Sequence, residues 1–154
     1  MRRFITILAV VTNLVLADAV LKELAAGYLK GAAAVSVIPG FFNLAYVENR
    51  GCAWGMFQGH TWPLAVFGIF ALAILIWKRK SVFGGGRCAA ISETFIYAGI
   101  VGNLIDRVYR GYVIDFLDFH WKNAYHFPCF NMADVLICIA AGLLILCSFG
   151  KHTS

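Results

Sequence analysis

The chain has 154 residues, of which 61% are hydrophobic and only 14% charged, with a mean hydropathy of +0.77. That is too little charge to coat a water-soluble domain of this size, so lipid is the implied solvent. The net charge of +5 implies no nucleic-acid partner, because the basic residues form no single patch, and the length suits one domain covering 1–154.

The first apolar run covers residues 4–21, close to the roughly 20 residues that cross a bilayer. Arg2-Arg3 ahead of it and Ala17-Asp18-Ala19 at its end also resemble a cleavable signal peptide; three later spans favour an uncleaved first span. Residues 22–30 are expected as a short interfacial helix. The stretch "VSVIPGFFNLAYVENRG" (35–51) mixes β-branched and aromatic residues with turn formers, which predicts a small strand pair. Its backbone cannot lie bare in hydrocarbon, so it should rest on the outer interface.

Further spans are predicted at 61–77, 88–105 and 128–150, making four in all. Gly84-Gly85-Gly86 lacks the lysine and context of a phosphate loop and reads as a turn. The five cysteines, Cys52, Cys88, Cys129, Cys138 and Cys147, are odd in number and contain no C-x-x-C. They read as small hydrophobes rather than a disulfide framework or a zinc site.

Orientation follows the cations near the span ends. Arg2, Arg3, Lys78, Arg79, Lys80, Arg87 and Lys151 fall on one side. Lys22, Lys30, Arg50, Arg107, Arg110 and Lys122 fall on the other. The count barely differs, but the dense loop around Lys78 places both termini in the cytoplasm. Glu93 is then inner, whereas Asp18, Glu48, Asp106, Asp115, Asp118 and Asp134 lie at or beyond the outer interface.

Polar groups within spans face other helices or a wet cleft. Asn103, Asp106 and Arg107 can share one helix face, and Asn131 and Asp134 are likewise one turn apart. Asp115 is expected in a loop at the same depth. Structural readings exist for each. Asn131 and Asp134 could form a helix cap, and Asp106 and Arg107 an ion pair. Taken together, two carboxylates in a low dielectric would share a proton, which suits activating a water and protonating a leaving group. His60, His120, His126 and His152 form no recognisable metal motif, and Ser36 has no catalytic surroundings.

"DAVLK" (18–22), "VENRGCAWG" (47–55), "GNLIDR" (102–107), "GYVIDF" (111–116) and "FNMAD" (130–134) resemble, in this order, the motifs of signal peptidase II, the lipoprotein signal peptidase family. The resemblance covers nearly the whole chain. It implies a mainly α membrane fold of four transmembrane helices, with a small periplasmic β-cradle and an interfacial helix between spans one and two. It implies an aspartyl endopeptidase of the bacterial inner membrane that cuts prolipoproteins before a diacylglyceryl-modified cysteine. Asp115 and Asp134 match its catalytic pair, and Asn49, Gly51, Asn103, Asp106, Arg107 and Asn131 match residues that bind substrate or support the site. No cofactor or metal is implied; the implied partners are lipidated substrates, membrane lipid and globomycin-type cyclic peptide inhibitors, acting on a monomer. Ala19, Trp54 and the stretch 98–103 depart from the common family pattern without removing a catalytic group. A proton-coupled carrier relaying protons through Asp115 and Asp134, or an assembly subunit whose polar residues only join helices, are the competing readings.

Overall fold

The computed structural model describes residues 2–122 and 125–150, with side chains from 3 to 122 and from 125 to 147. Lys151 and His152, which figure in the charge and histidine readings above, lie outside the described residues. The elements are α1 (Arg2–Leu29), β1 (Val35–Ile38), β2 (Phe42–Asn49), a single 3-10 turn (Ala53–Gly55), α2 (Thr61–Trp77), α3 (Arg79–Phe83), α4 (Arg87–Tyr109), β3 (Val113–Trp121), β4 (Tyr125–His126) and α5 (Met132–Gly150).

α1 is one helix of 28 residues, about 42 Å long at 1.5 Å per residue. The separate interfacial helix expected at 22–30 is therefore the last part of α1. No glycine or proline interrupts the run before Gly27. Lys22 also does not mark an exit into water: it is 1% exposed and paired with Asp18 one turn back. Arg3–Leu29 and Arg87–Tyr109 are long and apolar enough to cross a membrane, while Thr61–Trp77 and Met132–Cys147 are apolar but shorter.

The expected strand pair is present as β1 and β2. It extends into an antiparallel sheet of order β1-β2-β3-β4. Asp115, expected in a loop, lies in β3 opposite Val47 of β2. The first residues of β3 are buried on both faces, so the polar–apolar alternation that announces a half-buried strand is missing there.

α4 is central, packing against α1, α2 and most extensively α5. The approach to α5 depends on small residues. A Cβ on Gly99 would stand 2.4 Å from the Ala133 carbonyl oxygen, and one on Gly102 would stand 2.7 Å from Asp18 Oδ2. The same packing brings Cys88 and Cys147 together in a disulfide across 59 positions of sequence. This corrects the reading of all five cysteines as isolated hydrophobes; no local spacing could announce a pair made by two helices meeting side by side. Cys52, Cys129 and Cys138 are free.

The molecule is apolar outside and polar within. Phe67, Phe70 and Trp77 are at least 62% exposed, whereas Asp18, Lys22, Glu93, Asn103, Asp106 and Asn131 are buried. Water would reverse that arrangement; lipid favours it.

Candidate active site

Three elements deliver the aspartates and their partners. Phe130, just before α5, is held to β3 by backbone bonds: its N–H donates to Leu117 O (3.1 Å), and its carbonyl accepts from the N–H groups of Phe116 and Leu117. That short bridge sets Asn131 against Asp115 and starts α5 beside β3. Asn131 Nδ2 donates to Asp115 Oδ1 at 2.7 Å. Asn49 Nδ2 donates to Asp115 Oδ2 at 2.9 Å. Asn49 can do this because Val47 lies opposite Asp115 in the sheet, which puts Asn49 on the same face as that pair.

Asp134 sits in the first turn of α5. Its backbone N–H donates to Asn131 Oδ1 (3.1 Å), and its Oδ2 accepts from the Asn131 N–H (3.2 Å). This is a reciprocal helix cap, so the structural reading of these two residues is realised. The cap leaves Asp134 Oδ1 free for Asn103 Nδ2, at 2.7 Å. Asn103 Oδ1 in turn accepts from Asn131 Nδ2 at 3.1 Å. The two amides thus connect the two carboxyl groups.

Burial, and then the nearby charge of Asp134, push the Asp115 carboxyl up to about 7. A carboxylate in a low dielectric beside another negative charge holds its proton more tightly, for both reasons.

Arg107 does not pair with Asp106, as its neighbour position suggested. Its Nη1 donates to Asn103 O (3.3 Å) and its Nη2 to Gly51 O (3.2 Å), while its Nε is buried without a hydrogen-bond partner among the described residues. Gly51 is fixed in turn by donating its N–H to Asn49 Oδ1 (2.9 Å). The chain is tight here, since a Cβ on Gly51 would stand 2.4 Å from Met56 O. Asp106 pairs instead with Lys22 (3.0 Å) and Arg110 (3.0 Å), and its Oδ2 accepts from the Ile114 N–H at 3.2 Å. It anchors the start of β3, one residue before Asp115.

Seven of the eight residues singled out from the sequence, Asp115, Asp134, Asn49, Gly51, Asn103, Arg107 and Asn131, are joined by these bonds, and Asp106 stands one layer behind. Sequence reasoning assigned no role in the site to Lys22. It also did not foresee that Asp18 Oδ1 accepts from the Ala133 N–H at 2.9 Å, tying α1 to the start of α5. The available signal was the Asp18–Lys22 spacing of one helical turn within an apolar run. Elsewhere, His120 and His126 stack with ring centres 5.2 Å apart, a contact not expected from their separation.

A cavity of about 880 Å³ opens beside Asp134 between α2, α4 and α5. Phe67, Leu104 and Ile137 supply apolar wall, and Asn103, Arg107 and Asp134 supply the polar end. Asp115, 1% exposed, is not among its lining residues. The arrangement offers an apolar slot ending at Asp134 and Arg107, with Asp115 buried behind Asp134 and linked to it through the amides of Asn103 and Asn131.

Known proteins match this chain in sequence and in fold. The family model described as "Signal peptidase (SPase) II" matches residues 10–150. The lipoprotein signal peptidase of Clostridium acetobutylicum is 37% identical over 135 residues, covering 88% of this chain and 86% of its own. That of Syntrophotalea carbinolica is 39% identical over 150 residues, covering 94% and 91%. A solved structure described as "Bacterial membrane enzyme structure by the in meso method at 2.3 A resolution" superposes with a TM-score of 0.83 at 32% identity, covering 97% of this chain and 90% of that one. A match across almost the whole chain, in sequence and in fold, makes this protein a member of the signal peptidase II family.

Proposed function

We propose that the chain is an aspartic endopeptidase that removes the signal peptide of prolipoproteins, cutting before a diacylglyceryl-modified cysteine. The observation that carries this reading is the linkage of buried Asp115, through Asn131 and Asn103, to Asp134 at the polar end of an apolar cavity. The cavity suits an apolar signal segment and acyl chains, and globomycin-type cyclic peptides would compete for it. Arg107 Nε, buried and without a hydrogen-bond partner among the described residues, is available to a substrate carbonyl.

Asp134, at a helix N-terminus and accepting two hydrogen bonds, is the base. Asp115, whose carboxyl is raised to about 7 by burial and then by the charge of Asp134, is the acid. Asp134 takes a proton from a water as its oxygen attacks the scissile carbonyl. Asp115 gives its proton to the carbonyl oxygen, forming a neutral tetrahedral diol. Collapse of the diol breaks the C–N bond; the proton on Asp134 passes to the leaving amine, and a diol hydroxyl returns one to Asp115. The chain needs no cofactor for these steps and works as a monomer in the inner membrane. Four spans, with both termini in the cytoplasm, place the pair at the outer face.

The test uses purified protein in detergent with a lipidated precursor peptide. Cleavage is expected without a gradient, partner or added metal. Asp115→Asn and Asp134→Asn should each abolish it while substrate binding persists. The double variant should be scarcely worse than either single, because groups acting as a unit are not additive. Full turnover in either asparagine variant would remove that residue from the mechanism, and uncoupled peptide that is never cut would favour the carrier reading.

A further inference from the structure

Lys22 is enclosed between α1 and α4, with its side chain 1% exposed. An ammonium has three hydrogens to donate and accepts none. Its Nζ has three oxygen partners: Asp18 Oδ2 at 2.7 Å, Asp106 Oδ2 at 3.0 Å and Asn103 Oδ1 at 3.3 Å. Two carboxylates are enough to balance its charge, and Arg110 already serves Asp106 at 3.0 Å. The third donor goes to a neutral amide whose other end touches Asp134.

That amide has two possible orientations, and the donors decide between them. Asn103 Oδ1 accepts from Lys22 and from Asn131 Nδ2. A flipped amide would set its NH2 against an ammonium and another NH2, donor against donor. Its NH2 is therefore turned to Asp134 Oδ1, at 2.7 Å, where it stabilises the anion. Without Lys22, only Asn131 would oppose the flip. The flipped oxygen would repel an Asp134 carboxylate but accept readily from a protonated one.

We infer that Lys22 is a positioning residue: it locks the Asn103 amide with its NH2 toward Asp134 and thereby assigns the shared proton to Asp115. The inference rests on the dyad reading above. The charged groups around this device are Asp18 on the same helix, Asp106 on α4 with Arg110 beside it and Glu23 beyond, Arg107 on α4 donating to Asn103 O, Asp134 on α5 and Asp115 on β3. Lys22 does not line the substrate cavity, so its effect should fall on turnover rather than on binding.

The test compares Lys22→Met with a charge-balanced double variant, Lys22→Met with Asp18→Asn. The second change removes the carboxylate left unpaired yet keeps an acceptor for the Ala133 N–H. Turnover, KM, the pH profile and Tm are measured on each in detergent. Lys22→Met should lower kcat by about 10- to 100-fold, the scale of a misplaced catalytic group, with KM within about twofold. Its descending pH limb should move to higher pH, because Asp115 loses a nearby cation and holds its proton longer. The double variant should recover Tm but neither kcat nor the parent pH profile. A double variant with parent kcat and pH profile, in a protein where Asp115→Asn is inactive, would overturn the inference alone. Turnover retained by Asp115→Asn would overturn the dyad and this inference together.

Discussion

At the scale of single residues, the protonation of Asp115 makes two predictions with the same origin. Burial and the neighbouring Asp134 raise its carboxyl to about 7 in the folded chain, against 3.8 for the free side chain. In the mechanism proposed above Asp115 gives a proton to the scissile carbonyl, so turnover should fall as pH rises through about 7. The stability effect has the same sign. Between 3.8 and about 7 the folded chain holds a proton that the unfolded chain has lost, so stability falls as pH rises across that window. A tenfold change in protonation is worth about 1.4 kcal/mol, which makes the effect on the order of a few kcal/mol. Asp115→Asn should accordingly melt above the parent at pH 8, with the difference shrinking toward pH 4. Parallel melting curves for parent and variant across that range would mean that Asp115 is not sealed from water. Asn103 and Asp134 were legible because polar side chains are conspicuous in apolar helices, whereas Asp115 stood out as a carboxylate expected at the same depth. Lys22 was not, since a lysine near the end of an apolar run usually reaches for the interface; only the fold reveals that α4 closes over it.

At the scale of elements, the four long helices and the first strand pair could be read from hydrophobic runs and turn residues, while the short α3 and β3 could not. The sequence of β3, VIDFLDFHW, carries two aspartates and a histidine, which weaken an apolar pattern. It is a strand because β2 supplies a partner and because Asp106 receives the Ile114 N–H. Both causes lie far away in sequence. The α4–α5 contact is similar: glycines at 99 and 102 could be seen, but not what they face. Gly102→Ala should drive a methyl group toward Asp18 Oδ2 and the Ala133 Cβ, which would stand at 2.7 and 3.3 Å. Asp18 would have to leave Lys22 or the Ala133 N–H, so both Tm and turnover should drop, Tm by several degrees for an overpacking cost of about 1–3 kcal/mol. Gly142→Ala on the open side of α5, with nothing within 4 Å, should be neutral or slightly stabilising, since alanine is favoured over glycine in a helix by up to about 1 kcal/mol. Equal melting temperatures for the two variants would mean that the helices do not approach as closely as this at position 102.

At the scale of the whole molecule, polar groups collect in two layers along α4. Near its start, Glu93 is held by Arg79 and by Arg3, the latter at 3.5 Å. Near its end stand Asn103, Asp106 and Arg107, with the aspartate pair beside them. From Glu93 to Asp106 is thirteen residues, about 20 Å of helix, with an apolar exterior between. That separation is shorter than a hydrocarbon core of about 30 Å, so each layer lies near a boundary, with Glu93, Asn103 and Asp106 enclosed by protein. The cation-rich layer includes Arg79 and adjoins Lys78, Lys80 and Arg87, the kind of loop that stays in the cytoplasm. In the proposed topology the aspartate layer lies at the opposite face, where the lipid-anchored cysteine of the proposed substrate would meet water. A reporter fused after Lys80 should therefore read cytoplasmic, and one inserted near Gly59, in the segment between β2 and α2, should read periplasmic. Both reporters on one side would mean that α2, only 17 residues long, does not cross. The two polar layers would then no longer lie at opposite faces, and the lipidated cysteine would have no surface on which to meet Asp115 and Asp134.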